Sequence, residues 1–182
     1  MVPAHYLAIA RESIEKRLSG LDIDKKALLA VYPEMLEHKA TFVTLTLHGQ
    51  LRGCIGSLVA HRPLLDDLIS NAQSAAFHDP RFAPLTPAEF TAIKIEVSLL
   101  SEPKLVSYTD KAQLKSLIHV GIDGVILSLG NYQATFLPQV WEELTDFESF
   151  FAHLGMKAGI GNDPLAYHPE IYTYQVEKIK ED

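Results

Sequence analysis

Thr41-Phe42-Val43-Thr44-Leu45-Thr46-Leu47-His48-Gly49-Gln50-Leu51-Arg52-Gly53-Cys54-Ile55-Gly56 is the stretch whose reading decides the fold. Its first seven residues alternate in polarity and are rich in β-branched side chains, the pattern of a strand. His48-Gly49-Gln50 offers a tight turn, and Leu51 to Leu58 reads as the returning arm of an antiparallel hairpin. With Gly49 and Gln50 as the only loop residues, Arg52 faces Leu47 and Cys54 faces Leu45. A three-residue loop or a bulge at Gly53 moves the thiol to another setting. Cys54 is the only cysteine in the chain. In a regular strand Arg52 points the same way as Cys54, and a guanidinium beside a thiol favours the nucleophilic thiolate. Gly53 and Gly56 suggest a bulge or a site of close approach to the backbone. The competing reading is a packed, inert cysteine that behaves as a small hydrophobe.

Outward from the hairpin, Pro3 to Leu18 reads as an amphipathic helix with Lys16 and Arg17 in its last turn and Gly20 as its stop. Asp24 to Tyr32 reads as a short helix ended by Pro33. Pro63 to Phe77 is a third helix, with Asp66 and Asp67 near its start and a broad apolar stripe for packing on a sheet. His78-Asp79-Pro80-Arg81-Phe82 follows as an irregular stretch. It is a candidate site wall with His78 as acid or base, or simply a loop held by an Asp79–Arg81 pair. Thr86-Pro87-Ala88-Glu89 is a capping box. Ile93 to Leu99 alternates strictly and leaves Lys94, Glu96 and Ser98 on one face. Glu96 bears on function only where that face lines the same cleft as Cys54.

Beyond Glu102-Pro103, the sequence predicts a short helix near Lys111–Leu117 and a strand from Gly121 to Leu129. A Gly130-Asn131 turn and a return strand to Leu137 follow. Pro138 opens the next helix, and Thr145-Asp146-Phe147-Glu148 reads as a capping box for another with Phe147, Phe150, Phe151 and Leu154 inward. Gly155 to Gly161 reads as a connector without the features of a phosphate loop. Ile171 to Val176 is the last expected strand, followed by a charged tail.

A length of 182 residues suits one domain with a substantial core. The formal charge of −7, with scattered cations, argues against a general nucleic-acid binder. One cysteine, no leader-like N-terminus and no membrane-length apolar run together predict a cytoplasmic protein. The dispersed histidines form no zinc signature, and no hydrolase elbow, Walker loop or dinucleotide fingerprint occurs. The residues name no cofactor, and they leave open only a metal site assembled from distant His and carboxylate groups. What remains is thiol chemistry at Cys54.

The blocks Leu51-Arg52-Gly53-Cys54-Ile55-Gly56, Asp79-Pro80-Arg81-Phe82, Ile95-Glu96-Val97-Ser98 and Asp123-Gly124-Val125-Ile126-Leu127 resemble, in order, those of the AMMECR domain family. Phe136-Leu137-Pro138-Gln139-Val140 and Lys157-Ala158-Gly159 continue the match. Bacterial and archaeal members are called AmmeMemoRadiSam system protein A. Met156 departs from the pattern, where many relatives are expected to carry cysteine. The resemblance implies a single domain over 1–182 of α+β class. Its antiparallel β-sheet is flanked by helices, with a smaller subdomain and a cleft between them. It also implies association with a Memo-like protein and a radical S-adenosylmethionine enzyme, and it supplies no reaction. Two functions follow. In the first, a small enzyme uses Cys54 as nucleophile or redox thiol and Arg52 to favour the thiolate. His78 carries the proton, Asp79 or Glu96 orients it, and Gly53, Gly56, Asp79 and Arg81 contact substrate. In the second, the chain is a non-catalytic binding or adaptor module in which Arg52, Gly53 and Gly56 shape a surface for a protein partner or metabolite and Cys54 only packs.

Overall fold

The alternating stretches become strands and the amphipathic ones helices, distributed over two compact units. A computed structural model describes residues 1–182. One unit comprises Met1–Leu100 with Glu177–Asp182, and the other Ser101–Val176. The fold class is α+β.

In the first unit, β1 (Ala40–Leu47) pairs antiparallel with β2 (Gln50–Gly56) and with β3 (Ile93–Leu100). β8 (Val176–Lys180) completes the sheet in the order β2-β1-β3-β8. The helices α1 (His5–Leu18) and α3 (Leu64–Phe77) supply Ile9, Ile14, Leu68, Ala72 and Ala75. These pack with Val43, Leu45, Ile95 and Val97 of the sheet. Strand alternation sends these apolar residues to one face and their neighbours to the other. Two short helices, α2 (Lys25–Val31) and α4 (Pro87–Phe90), start at Asp24 and Thr86, and Thr86 forms the expected capping box with Glu89. Asp67 does more than meet a helix dipole. It is fully buried and accepts hydrogen bonds from Thr41, Ser57, Arg62 and Asn71, tying the segment after β2 to α3.

In the second unit the sheet order is β4-β7-β5-β6, from β4 (Lys104–Leu105), β5 (Gly124–Leu129), β6 (Tyr132–Phe136) and β7 (Glu170–Tyr174). It packs Val125, Leu127 and Ile171 against α5 (Lys111–Leu117) and α6 (Phe147–Ala158). Trp141 stacks on Phe150 at 3.6 Å, and its indole N–H donates to the Asp123 carbonyl.

Several local expectations are corrected. The hairpin loop is His48-Gly49, both at positive φ, because Leu47 pairs with Gln50. Pro63 caps α3 and lies outside it. Pro138 opens a 3-10 helix, Pro138–Glu142. Asp146, not Thr145, caps α6, its carboxylate accepting from the Ser149 N–H. That helix runs through Gly155 and stops at Gly159, whose φ of 87° suits glycine. The charged tail is a strand. Gln175 separates β7 from β8, which joins the first sheet, and Arg11 holds Glu181 through two bonds of 2.6 Å.

Candidate functional site

The His48-Gly49 turn sets the register that positions the thiol. Leu47 opposes Gln50 and Thr46 opposes Leu51, but Leu45 opposes Gly53. Arg52 is therefore the extra residue of a bulge, one position before the site considered from sequence. Cys54 faces Thr44 rather than Leu45, with Sγ and the Thr44 hydroxyl 3.2 Å apart. Val43 and Leu45 point into the core, so Thr44 and Cys54 lie on the sheet face turned away from α1 and α3. The thiol is half-buried. Glu96 opposes Thr44 from the other side. Cys54, Thr44 and Glu96 thus form one row across three strands. Two strand spacings put the ends of the row about 10 Å apart. Lys178 lies 3.8 Å beyond Glu96.

The segment after α3 supports this row from the edge. β2 is an edge strand, so alternate N–H groups face outward. The Cys54 N–H is one of these, and it donates to Asp79 Oδ2 at 3.0 Å. Arg81 grips the same carboxylate with Nε at 3.0 Å and Nη2 at 2.7 Å, and its backbone N–H adds a third bond. The hydrogen bond from the Arg81 side chain, helped by the two backbone N–H groups, holds the Asp79 carboxyl well below the usual carboxylate range. Arg81 is in turn raised, first by Asp79 and in smaller part by the charge of a Cys54 thiolate.

Arg52 does not serve the thiol as the strand alternation suggested. Its guanidinium is buried and donates to Glu89 at 2.8 and 3.2 Å and to the Ala83 carbonyl at 2.7 Å. The bulge breaks the alternation that would have aligned it with Cys54. Glu89 falls to about 2, chiefly through the Arg52 hydrogen bond and then the Thr86 N–H. Phe82 has a guanidinium near its ring from each pair, Arg52 at 5.6 Å and Arg81 at 5.5 Å.

The two glycines admit parts of the chain itself. A Cβ on Gly53 would lie 2.1 Å from the Ala75 carbonyl oxygen, so α3 sits directly against this strand. A Cβ on Gly56 would lie 2.2 Å from the ring of Phe42, the residue opposite it. His78 caps α3 through its backbone N–H. Its imidazole is exposed and makes no hydrogen bond, and Asp79 is committed to Arg81 and Cys54. The structure thus joins Cys54, Asp79 and Arg81 by hydrogen bonds and sets Glu96 in the row with Cys54. Arg52 and His78 make no contact with the thiol through a hydrogen bond.

The sequence marks neither Thr44 nor the second role of Glu89. Placing Thr44 opposite Cys54 needs both the two-residue turn at His48-Gly49 and the bulge at Arg52, since the turn alone would set Val43 against Cys54. For Glu89 the sequence shows only a capping role, because its second partner lies 37 residues away. No group of three or more His, Cys, Asp and Glu side chains is placed to hold a metal ion.

An α+β chain with an antiparallel four-stranded sheet in each of two units is the class that the fold defines. The chain belongs to the AMMECR1 family, whose model matches residues 7–179. A protein of Methanothermobacter thermautotrophicus is 40% identical over 178 residues, covering 96% of this chain and 91% of that protein. One from Methanocaldococcus jannaschii is 38% identical, covering 94% and 86%. The crystal structure of the uncharacterized protein PH0010 from Pyrococcus horikoshii is similar with a TM-score of 0.84 at 34% identity. That match covers 98% of this chain and 90% of the other.

Proposed function

We propose that this protein is a thiol-using enzyme component of the AmmeMemoRadiSam system, with Cys54 as nucleophile or redox thiol. A Memo-like protein and a radical S-adenosylmethionine enzyme are its working partners. The observation that carries the reading is the placement of Cys54: half-buried on the sheet face away from the helices, its sulfur beside a hydroxyl. A purely packing cysteine belongs on the other face, among Val43, Leu45 and Ile95. The Thr44 hydroxyl both donates and accepts, so it can hydrogen-bond the thiol or its thiolate, and Glu96 is the carboxylate opposite it on the next strand. His78 has no partner that would orient it for this task. The adaptor alternative draws less support, because Arg52, Gly53 and Gly56 are committed to contacts within the chain.

The test is the alkylation rate of Cys54 from about pH 5 to 9, folded against denatured, with Cys54→Ser as the blank. A folded rate that stays high well below the free-thiol pKa of about 8.5 supports the reading. Complete protection in the folded state removes the thiol from the mechanism. The partner half is tested separately, by sedimentation of the purified protein with each proposed partner.

A further inference from the structure

We infer that the substrate handled at Cys54 carries an anionic group, carboxylate or phosphate, and that Arg81 holds it; this rests on the reading of Cys54 as a working thiol. The basis is an asymmetry in the Asp79–Arg81 pair. The carboxylate is hidden, the Asp79 side chain being 2% exposed, whereas the Arg81 side chain is 54% exposed. The pair therefore turns its positive end to solvent. Nε and Nη2 are fixed on Asp79, and Nη1 makes no hydrogen bond. A guanidinium clamped along one edge loses little further freedom when its other edge receives a planar or tetrahedral anion.

Its location favours the thiol. Asp79 Oδ2 accepts from Arg81 Nη2 at 2.7 Å and from the Cys54 N–H at 3.0 Å, so one carboxylate oxygen separates the cation from the cysteine backbone. The other nearby cations are less suited. The Arg52 side chain is 9% exposed and engaged with Glu89, and Lys178 is turned toward Glu96. Phe82 lies against the Arg81 guanidinium and limits where it can swing. Arg81 is thus a substrate-positioning residue, and its signature is discrimination by charge rather than a change in intrinsic thiol reactivity.

Two alkylating probes of similar size separate these effects. Iodoacetate carries the anionic group and iodoacetamide does not, and the rate ratio at Cys54 is normalised to the same ratio in the denatured chain. The expected result is a normalised preference for iodoacetate of about five-fold, the effect of a unit-charge contact at about 4 Å in water. The preference falls toward unity in Arg81→Gln and survives in Arg81→Lys. In the unaltered protein it shrinks as salt is raised, a readout that does not depend on any variant folding. A reactive thiol with no charge preference, or a preference untouched by Arg81→Gln in a variant that melts normally, overturns the inference and leaves the thiol reading standing. No alkylation by either probe in the folded protein overturns both.

Discussion

Two arginine–carboxylate pairs flank Phe82, and they are built inside out relative to one another. In Arg52–Glu89 the cation is the buried member, with side-chain exposures of 9% and 27%. In Arg81–Asp79 the carboxylate is buried, 2% against 54% for the arginine. Each pair anchors a different part of β2. Arg52 ties the bulge to Ala83 and to the capping box of α4, while Asp79 ties the Cys54 N–H to the end of α3. The difference teaches which partner each pair can lose. A stranded carboxylate can take up a proton and become neutral, whereas a stranded guanidinium stays charged at any relevant pH.

The largest effect is expected from Glu89→Ala, which strands the buried Arg52 with only the Ala83 carbonyl. Its cost, read by denaturant unfolding, should be about 3 kcal/mol. Next is Arg81→Ala, which leaves Asp79 buried but able to protonate. About 1–2 kcal/mol should be lost at neutral pH, and the gap from the parent should close on acidification. Equal costs for the two variants would show that the burial asymmetry does not govern these pairs.

A smaller effect concerns acid stability. The folded Glu89 pKa of about 2 lies below its unfolded value of about 4.3. Its contribution is thus complete above the unfolded value and disappears as pH falls from about 4.3 toward 2. Asp79 is lowered as well, so its share disappears on the same acid side. In Glu89→Gln the acid limb of the stability–pH curve should be flatter through this window, and a slope identical to the parent's would assign the limb to other carboxylates. The smallest effect is expected from Phe82→Leu, which removes the shared ring while keeping apolar bulk. A loss of about 1 kcal/mol is the scale of partly exposed cation–π contacts. Coupling between Arg52 and Arg81 in a double-mutant cycle should shrink in this background.

The two Arg pairs also mark where sequence was informative. Strand alternation made β1 and β3 plain, and the spacing Thr86-x-x-Glu89 revealed its cap. Asp79–Arg81 was legible as well, because its members are two residues apart. Arg52–Glu89 was not, since it depends on a bulge and on a contact across 37 positions. One residue of register decided the rest. With the turn at Gly49-Gln50 the thiol meets Leu45; with the turn at His48-Gly49, plus the bulge, it meets Thr44 and shares a row with Glu96. Nothing local distinguishes β8 from a solvated tail, as Val176-Glu177-Lys178-Ile179-Lys180 carries two apolar residues. Its strand character comes from the first sheet, which is already formed by residues some 80 positions earlier.

That late strand has a consequence for synthesis. The first unit takes its first hundred residues from one end of the chain and its last six from the other. A ribosome therefore delivers α1, α3 and three strands of the first sheet, then all of the second unit, before the piece that completes the first. Until Glu181 emerges, Arg11 lacks its carboxylate and β3 stands as a free edge. An unpaired edge is a place for unwanted strand pairing. The nascent chain carries this hazard longest where its two ends must meet.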